Sequence, residues 1–180
     1  MNNMNDGMIN INSNMMFQQN LFESNNYQNI NSVNDNDCFE YNQKMEYLMG
    51  ENSMYCTFCR KQLPASYQTF LFTGPEILII ILNRGKGIEF KVKMEFNEQL
   101  NLYNYITRKE TGFMYNLIGV VTHLGESGLF GHFIAFCKSP KDNQWYQYND
   151  DMVTRVVNFK QEIIDCGMPY ILFYQKIGNI

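Results

Sequence analysis

Two neighbouring stretches decide the fold of this chain: Leu129-Phe-Gly-His-Phe-Ile-Ala-Phe-Cys-Lys138 and Trp145-Tyr-Gln-Tyr-Asn-Asp150. Large apolar residues alternate after a glycine in the first stretch, which predicts a half-buried strand beginning at His132. The second stretch predicts a short aromatic strand. Between them, Ser139-Pro-Lys-Asp-Asn-Gln144 carries the Pro, Asp and Asn residues typical of a turn. We therefore predict an antiparallel hairpin.

The register of this hairpin decides which residue lies opposite His132. If Lys138 lies opposite Asn143, then His132 faces Asn149, and cross-strand neighbours are about 4.5–5.5 Å apart at Cβ. A register shifted by two residues places Asp151 there instead. A histidine oriented by Asn or Asp supplies two members of a nucleophile–base–orienter triad. The alternative is a histidine at a strand start that a turn residue satisfies, and spacing alone favours this alternative while leaving both interpretations open.

Length and composition limit the class of protein. The chain has 180 residues, the length of one ordinary domain, and its 45% hydrophobic content predicts a substantial core. The net charge of −4, without a basic block, argues against a nucleic-acid partner. The longest apolar run, Ile77–Leu82, is far below the ~18 residues of a membrane span, so we expect no membrane partner.

Features that report on cellular location favour the inside of the cell. The first residues, Met1–Gly7, lack the basic and apolar regions of a secretory signal. The 5 cysteines have irregular spacing, which argues against a disulfide framework. We expect a soluble intracellular protein of the cytoplasm and/or nucleus.

Residues 1–36 differ in composition from the rest of the chain. They form an Asn-rich, low-complexity segment that we expect to be disordered. A less favoured alternative is one short amphipathic helix that includes Met15, Met16, Phe17, Leu21 and Phe22.

From Asp37 onward the sequence predicts many strands and few helices. A helix over 38–49 has Asp35 or Asp37 available as N-cap and Gly50 as its stop. We predict loop and a short helix over Val153–Asp165. The predicted strands are Tyr67–Phe72, Glu76–Leu82 (buried on both faces), Ile88–Phe96 (half exposed), Tyr115–His123, and a closing strand Tyr170–Gln175. This succession indicates an α+β domain with an antiparallel, β-rich module.

Four blocks occur in order along this half of the chain: Gly119-Val-Val-Thr-His-Leu-Gly125, Gly131-His-Phe-Ile-Ala-Phe136, Trp145-Tyr-Gln-Tyr-Asn-Asp-Asp-Met-Val153 and Pro169-Tyr-Ile-Leu-Phe-Tyr174. The series resembles the histidine-box half of the ubiquitin-specific proteases, papain-like cysteine enzymes that remove ubiquitin from proteins. The resemblance extends over most of Asp37–Lys176. It implies the palm and fingers half of a papain-like cysteine protease fold, with residues 37–177 as a partial catalytic domain.

The resemblance also implies roles for individual residues. His132 matches the general base, Asn149 the residue that orients it, and Asp150 an adjacent acidic position. His123 matches a recurrent non-catalytic histidine, for which we expect a structural or loop-supporting role. The residues expected to bind substrate, the C-terminal tail of ubiquitin, are Gly125, Gly128, Gly131 and Trp145.

Cys56-x-x-Cys59 has the spacing of half a tetrahedral zinc site, and the resemblance places it at the tip of the fingers. The chain contains no second Cys-x-x-Cys. We therefore expect no metal or other cofactor, unless zinc is completed by a second cysteine pair from elsewhere.

The nucleophile is missing from the sequence pattern. Cys137 and Cys166 lack the helix N-terminus that lowers a thiol pKa and are expected to be small buried hydrophobes. The Asn-rich cysteine box of the family has no counterpart. The favoured function is a deubiquitinating thiol protease of which this chain carries the histidine-box portion. The alternatives are a catalytically inactive, ubiquitin-binding pseudo-protease or scaffold and, more weakly, a zinc-ribbon interaction module.

Overall fold

The structure is a computed structural model that describes residues 8–9, 32–84, 92–125 and 130–178. In chain order the strands of these residues are β1 (Met8–Ile9), β2 (Ser32–Asn34), β3 (Glu46–Leu48), β4 (Met54–Cys56), β5 (Lys61–Leu63), β6 (Ala65–Tyr67), β7 (Ile77–Ile81), β8 (Lys93–Glu95), β9 (Gln99–Asn101), β10 (Met114–Leu124), β11 (His132–Lys138), β12 (Trp145–Asn149), β13 (Met152–Arg155) and β14 (Met168–Lys176). The helical elements are α1 (Asp35–Asn42), two 3-10 turns (Gly50–Asn52 and Lys109–Thr111) and one π-helical turn (Lys160–Ile164).

Within these described ranges, one 8-stranded sheet dominates the fold, in the order β1-β7-β14-β10-β11-β12-β13, with β9 also paired to β10. β1 runs parallel to β7, and the other neighbours are antiparallel. One face of the sheet carries the core, whose most buried side chains include Leu78, Ile80, Tyr115, Leu117, Phe136, Leu172 and Tyr174. The sheet thus places the closing strand, β14, next to β10, the strand that precedes His132.

The helix is shorter than predicted and begins earlier. Its N-cap is Asn34, whose side chain accepts from the backbone N–H of Asp37 while the Asp37 carboxylate accepts from Asn34. The predicted caps, Asp35 and Asp37, lie inside the first turn. The helix stops at Asn42 because the residues after it enter strand β3. Gly50, the predicted stop, has φ +60° and begins a 3-10 turn.

Residues 46–67 form a ribbon of two antiparallel strand pairs, with the second pair between the strands of the first along the chain. β3 pairs with β6, and the hairpin β4–β5 continues beyond them. Cross-strand pairing of Glu46–Leu48 supplies tertiary hydrogen bonds that an isolated helix extension lacks, which explains why helical periodicity misassigned this segment. The ribbon carries Cys56 and Cys59 at its hairpin turn, the position predicted for the tip of the fingers.

Three strand predictions need correction. In the predicted doubly buried strand, Leu78 and Ile80 are buried whereas Ile77 is exposed, so burial alternates along β7. The predicted strand over 67–72 is limited to the end of β6 and an isolated bridge of Leu71 with Ile106. Strand β13 was predicted to be loop; it forms because a tight turn folds it back onto β12.

Other strand predictions are confirmed. β10 and β14 extend the predicted strands at both ends, and β11 and β12 form the antiparallel hairpin. Of the predicted strand Ile88–Phe96, residues 88–91 lie outside the described residues; within β8, Met94 is buried between exposed Lys93 and Glu95. The helix considered for Met15 to Phe22 also lies outside them. Residues 8–9 and 32–36 are in described elements, and the domain boundary at 36/37 stays a prediction.

No helix among the described residues has the length and apolar character needed to cross a membrane.

Candidate active site

The site begins with the hairpin register, which differs from the favoured prediction. Lys138 pairs with Trp145 and Ala135 with Tyr148, so the ladder is shifted by two residues and ends before it reaches His132. Nevertheless, His132 Nε2 lies 2.6 Å from Asn149 Oδ1. The contact forms because β12 ends at Asn149 and the chain turns sharply, with Asp150 at φ +51°. The side chain of Asn149 thus meets the histidine diagonally beyond the last strand pair.

This contact selects one tautomer of the imidazole. The amide oxygen of Asn149 is an acceptor, so Nε2 of His132 carries the hydrogen and donates. In the neutral ring the lone pair then lies on Nδ1, which is the atom able to take a proton from a nucleophile. The His132 side chain is 45% exposed, so the imidazole is open to solvent over part of its surface.

Asp150 is the second polar residue close to the His132 ring. Its Oδ2 atom is 3.8 Å from His132 Nε2, longer than a hydrogen bond, and its side chain is largely exposed. At this distance the carboxylate acts on the imidazole through charge, whereas Asn149 holds the ring through a direct hydrogen bond. Asn149 is thus the direct hydrogen-bond partner of the ring, and the orienting roles of Asn149 and Asp150 stay predictions.

His123 is a buried residue near the end of β10, next to the start of β11 in the sheet. Its ring contacts those of Phe133 and Tyr170 at centroid distances of 4.8 and 5.7 Å. Sequence reasoning did not identify these two aromatic partners. Phe133 could have been identified from the pairing of β10 with β11, because it lies directly opposite His123 in that ladder.

Two of the predicted glycines have an intramolecular reason to be glycine. A Cβ on Gly131 would lie 2.1 Å from ring atoms of His123, and one on Gly125 would lie 2.7 Å from the Phe130 carbonyl oxygen. The buried imidazole therefore requires a backbone without side chains above it. Gly128 lies outside the described residues. Whether these glycines also line a substrate channel stays a prediction.

Trp145 is not brought to His132. It begins β12, at the opposite end of the strand from Asn149, and it is buried against Phe159 at a ring distance of 5.3 Å. The structure gives it a core position, and its expected contact with substrate stays a prediction.

The prediction that Cys137 and Cys166 are small buried residues is wrong for Cys137, which is exposed because it lies on the face of β11 opposite to the buried Phe136, while Cys166 is partly buried. Partial burial still raises the pKa of Cys137, and partial burial with the charge of Glu162 raises that of Cys166. Cys137 is an odd number of residues from His132, so its side chain points to the opposite face of the strand, about 17 Å along it. Partial burial, together with the charges of Asp37 and Asp35, raises the pKa of Cys38 to about 12. None of these three is an activated nucleophile.

The β4–β5 turn holds a different kind of thiol. The Cys59 N–H donates to Cys56 Sγ at 3.4 Å and lowers the pKa of Cys56, and Arg60 closes the turn with φ +55°. A stabilised thiolate beside a second accessible cysteine suits a soft metal ion. Among the described residues, no group of three or more Cys, His, Asp or Glu side chains could hold one. The hairpin thus has the residue types for two of the four positions of a zinc site, and the expectation about zinc stays a prediction.

Comparison with known proteins finds similar sequences among the ubiquitin carboxyl-terminal hydrolases. Ubiquitin carboxyl-terminal hydrolase 12 of Saccharomyces cerevisiae is 33% identical over 154 residues, covering 79% of this chain and 12% of that protein. Ubiquitin carboxyl-terminal hydrolase 17-like protein A of Mus musculus is 31% identical over 144 residues, covering 77% of this chain and 26% of that protein. The chain thus spans about a quarter or less of these two curated relatives.

Solved structures match the fold. The SAGA Ubp8/Sgf11/Sus1/Sgf73 DUB module bound to ubiquitin aldehyde aligns with a TM-score of 0.60 and 28% identity, covering 82% of this chain and 34% of that one. The yeast SAGA DUBm with a mutant Sgf73 aligns with a TM-score of 0.64 and 25% identity, covering 97% and 36%. These matches confirm the predicted fold class, an α+β, antiparallel β-rich portion of the protease fold.

The family model described as ubiquitin carboxyl-terminal hydrolase matches residues 9–174. This range includes the His132–Asn149 pair, the glycines beside it and the cysteine hairpin. The chain belongs to the ubiquitin carboxyl-terminal hydrolase family.

Proposed function

We propose that this chain is the histidine-bearing portion of a deubiquitinating thiol protease, which hydrolyses the isopeptide or peptide bond after the C-terminal glycine of ubiquitin. The observation that carries the proposal is the 2.6 Å contact between His132 Nε2 and Asn149 Oδ1. It leaves Nδ1 of an accessible imidazole ready to act as a base. Family membership and the names of the relatives support the substrate class.

In this proposal His132 acts as base and then as acid. Nδ1 takes the proton of a cysteine thiol, and the thiolate attacks the carbonyl carbon of the last ubiquitin glycine. The imidazolium then protonates the departing amine, and a water activated by Nδ1 hydrolyses the thioester. Asn149 keeps Nε2 donating throughout, and Asp150 stabilises the positive ring at 3.8 Å. In this proposal the thiol is not that of Cys38, Cys137 or Cys166, because the pKa of each of these cysteines is raised.

The test uses ubiquitin with an electrophile at its C-terminus, together with a fluorogenic ubiquitin substrate. Both are applied to this chain and to the longest product of its transcript. We expect thiol labelling and hydrolysis by a product that supplies a nucleophilic cysteine, and a loss in kcat of about 10²–10⁴-fold in His132→Ala. Unchanged hydrolysis in that variant would refute the role of His132.

The second candidate is a catalytically inactive ubiquitin-binding scaffold. It is favoured by the raised pKa values of Cys38, Cys137 and Cys166. Binding of ubiquitin by the longest product, without labelling by the electrophile, would establish the scaffold. Labelling of Cys137 or Cys166 that disappears in His132→Ala would instead show that this chain is an autonomous enzyme.

The same proposal covers partners and metal. Ubiquitin or ubiquitinated proteins are the proposed partners, and the five free cysteines are suited to a reducing, intracellular compartment. The Cys56–Cys59 hairpin contributes half of a zinc site only where a second cysteine pair is supplied. Metal analysis of the purified chain should therefore find well below one equivalent of zinc.

A further inference from the structure

The last strand of the large sheet has one unpaired edge. β13 pairs with β12 on its inner side, and no strand among the described residues pairs with its outer side. All four of its residues are exposed, with Met152 at 61% and Val153 at 56%. Such an edge offers backbone donors and acceptors to another strand.

The hydrogen-bond pattern shows which groups point outward. Val156 N–H donates to the Trp145 carbonyl at 2.9 Å, so this pair is one of the bonded pairs of the ladder. Bonded and non-bonded pairs alternate in an antiparallel ladder. Thr154 and Met152 therefore bond to β12, whereas the N–H and C=O groups of Val153 and Arg155 face the outer edge.

The edge lacks most devices that protect exposed strands. It contains no proline or lysine, and Val153 and Thr154 are β-branched residues that favour strand pairing. Beyond it, Glu162 accepts the N–H groups of Val157 and Asn158, which ends the free edge. The available stretch is thus Asp151 to Arg155.

We propose that this edge pairs with the same edge of a second copy of the chain. In a two-fold antiparallel arrangement centred on Val153, each Asp151 lies opposite the Arg155 of the other copy. Val153 then forms a bonded pair with Val153 of the other copy, and the side chains of Asp151 and Arg155 face each other at the two ends of the paired segment. A centre at Thr154 would place Asp151 opposite Val157 and leave the charges unmatched, so charge complementarity selects the first register.

The Arg155 guanidinium is already held at this edge. Its Nη2 atom donates to Gln144 Oε1 at 2.8 Å, a neutral acceptor that orients the group without neutralising its charge. Tyr148 of β12 pairs with Val153 in the β12–β13 ladder and is partly exposed. It adds apolar surface beside the two-fold axis. The contact is short, so the dimer is expected to be weak.

Sedimentation velocity of the full chain tests this, from about 5 μM to about 1 mM and with a reductant that prevents cysteine cross-links. We expect a monomer–dimer equilibrium. Asp151→Arg and Arg155→Asp each place like charges opposite one another and should raise Kd about tenfold. The double variant Asp151→Arg/Arg155→Asp restores opposite charges and should return Kd to the wild-type value. Glu51→Arg and Lys61→Asp, exposed positions in the ribbon, are controls for net charge and should leave Kd unchanged.

Val153→Pro gives a second readout, because it removes an outward N–H without removing a bond to β12. It should abolish the dimer while the thermal unfolding midpoint stays near that of the wild type. Three results would overturn the proposal: a chain that is monomeric at the highest concentration, a dimer that the charge reversals do not affect, or a monomer that binds an extended peptide along β13.

Discussion

His132 Nε2 lies 2.6 Å from Asn149 Oδ1 even though the two residues are not partners in the β11–β12 ladder. The contact is made beyond the last strand pair, by a side chain at the end of one strand reaching the first residue of the other. It therefore depends on the turn at Asp150 as well as on the hairpin itself. This dependence makes the pair sensitive to substitutions that leave the sheet intact.

Asn149→Ala should free the His132 ring without unfolding the protein. The chain has 2 histidines, one buried and one exposed, so their imidazole signals can be separated by NMR. We expect the His132 signals to shift and to show rotamer averaging, while those of His123 stay in place. Gln147→Ala, on the same face of β12, is the matched control and should move neither ring. A His132 signal that is the same in Asn149→Ala would contradict the contact.

The cysteines should differ in their rate of alkylation at neutral pH. Only the thiolate reacts, so a lowered pKa accelerates the reaction and a raised pKa slows it. Cys56, whose pKa is lowered by the Cys59 N–H, should react first. Cys38, whose pKa is raised to about 12, should react last, and Cys137 should react more slowly than its exposure suggests. Peptide mapping by mass spectrometry after timed iodoacetamide treatment measures this order. Faster labelling of Cys137 than of Cys56 would identify an activated thiol on the β11 strand.

Gly131→Ala should destabilise the fold by about 1–3 kcal/mol, because the added methyl group would enter a packed site. Its Cβ would lie 2.1 Å from the His123 ring and 2.6 Å from the Leu124 carbonyl oxygen. Gly178→Ala, where nothing lies within 4 Å, is the control and should change stability little. Urea unfolding followed by fluorescence gives both values. Equal stability of the two variants would show that the glycine is not needed for packing.

The stability of Asp35→Asn relative to wild type should increase as the pH rises. Burial raises the pKa of the Asp35 carboxyl above 3.8, so the folded state holds this proton more tightly than the unfolded state. The stability that the group contributes is complete below about pH 4 and is lost as the pH rises through the raised pKa. The free energy of unfolding of Asp35→Asn, relative to wild type, should therefore increase between about pH 4 and pH 7. Glu51→Gln, which removes an exposed carboxyl, serves as the comparison; parallel curves for Asp35→Asn and wild type would rule out the buried-carboxyl effect.

Much of this architecture could be predicted from residue patterns. Alternation of apolar residues located β11 and β12, and the Pro, Asp and Asn residues between them located the turn. The identity of His132 and Asn149 as a pair was also predictable, because both the favoured register and the family resemblance placed them together. The register itself was wrong, since the position of a ladder depends on turn conformation, here Asn143 at φ +56°, which composition does not specify.

The other errors have a common physical origin. The predicted helix extended through Leu48 because local periodicity favoured it, whereas pairing with Ala65–Tyr67 decided the outcome. β13 was missed because its four residues are all exposed and carry no apolar alternation; the neighbouring strand makes it a strand.

The sequence by itself determined which residue types are available: a histidine preceded by glycine, an asparagine at the end of an aromatic stretch, and cysteines without a cysteine box. It also determined the family, through blocks whose order and spacing are local properties of the chain. Only the tertiary structure decided which atoms meet. The conformation of the turn between β11 and β12 set their ladder two residues from the expected register, and the turn at Asp150 still brought the side chain of Asn149 to His132. Side-chain contacts of this kind depend on distances of a few ångströms between separate strands, which no pattern along one strand contains.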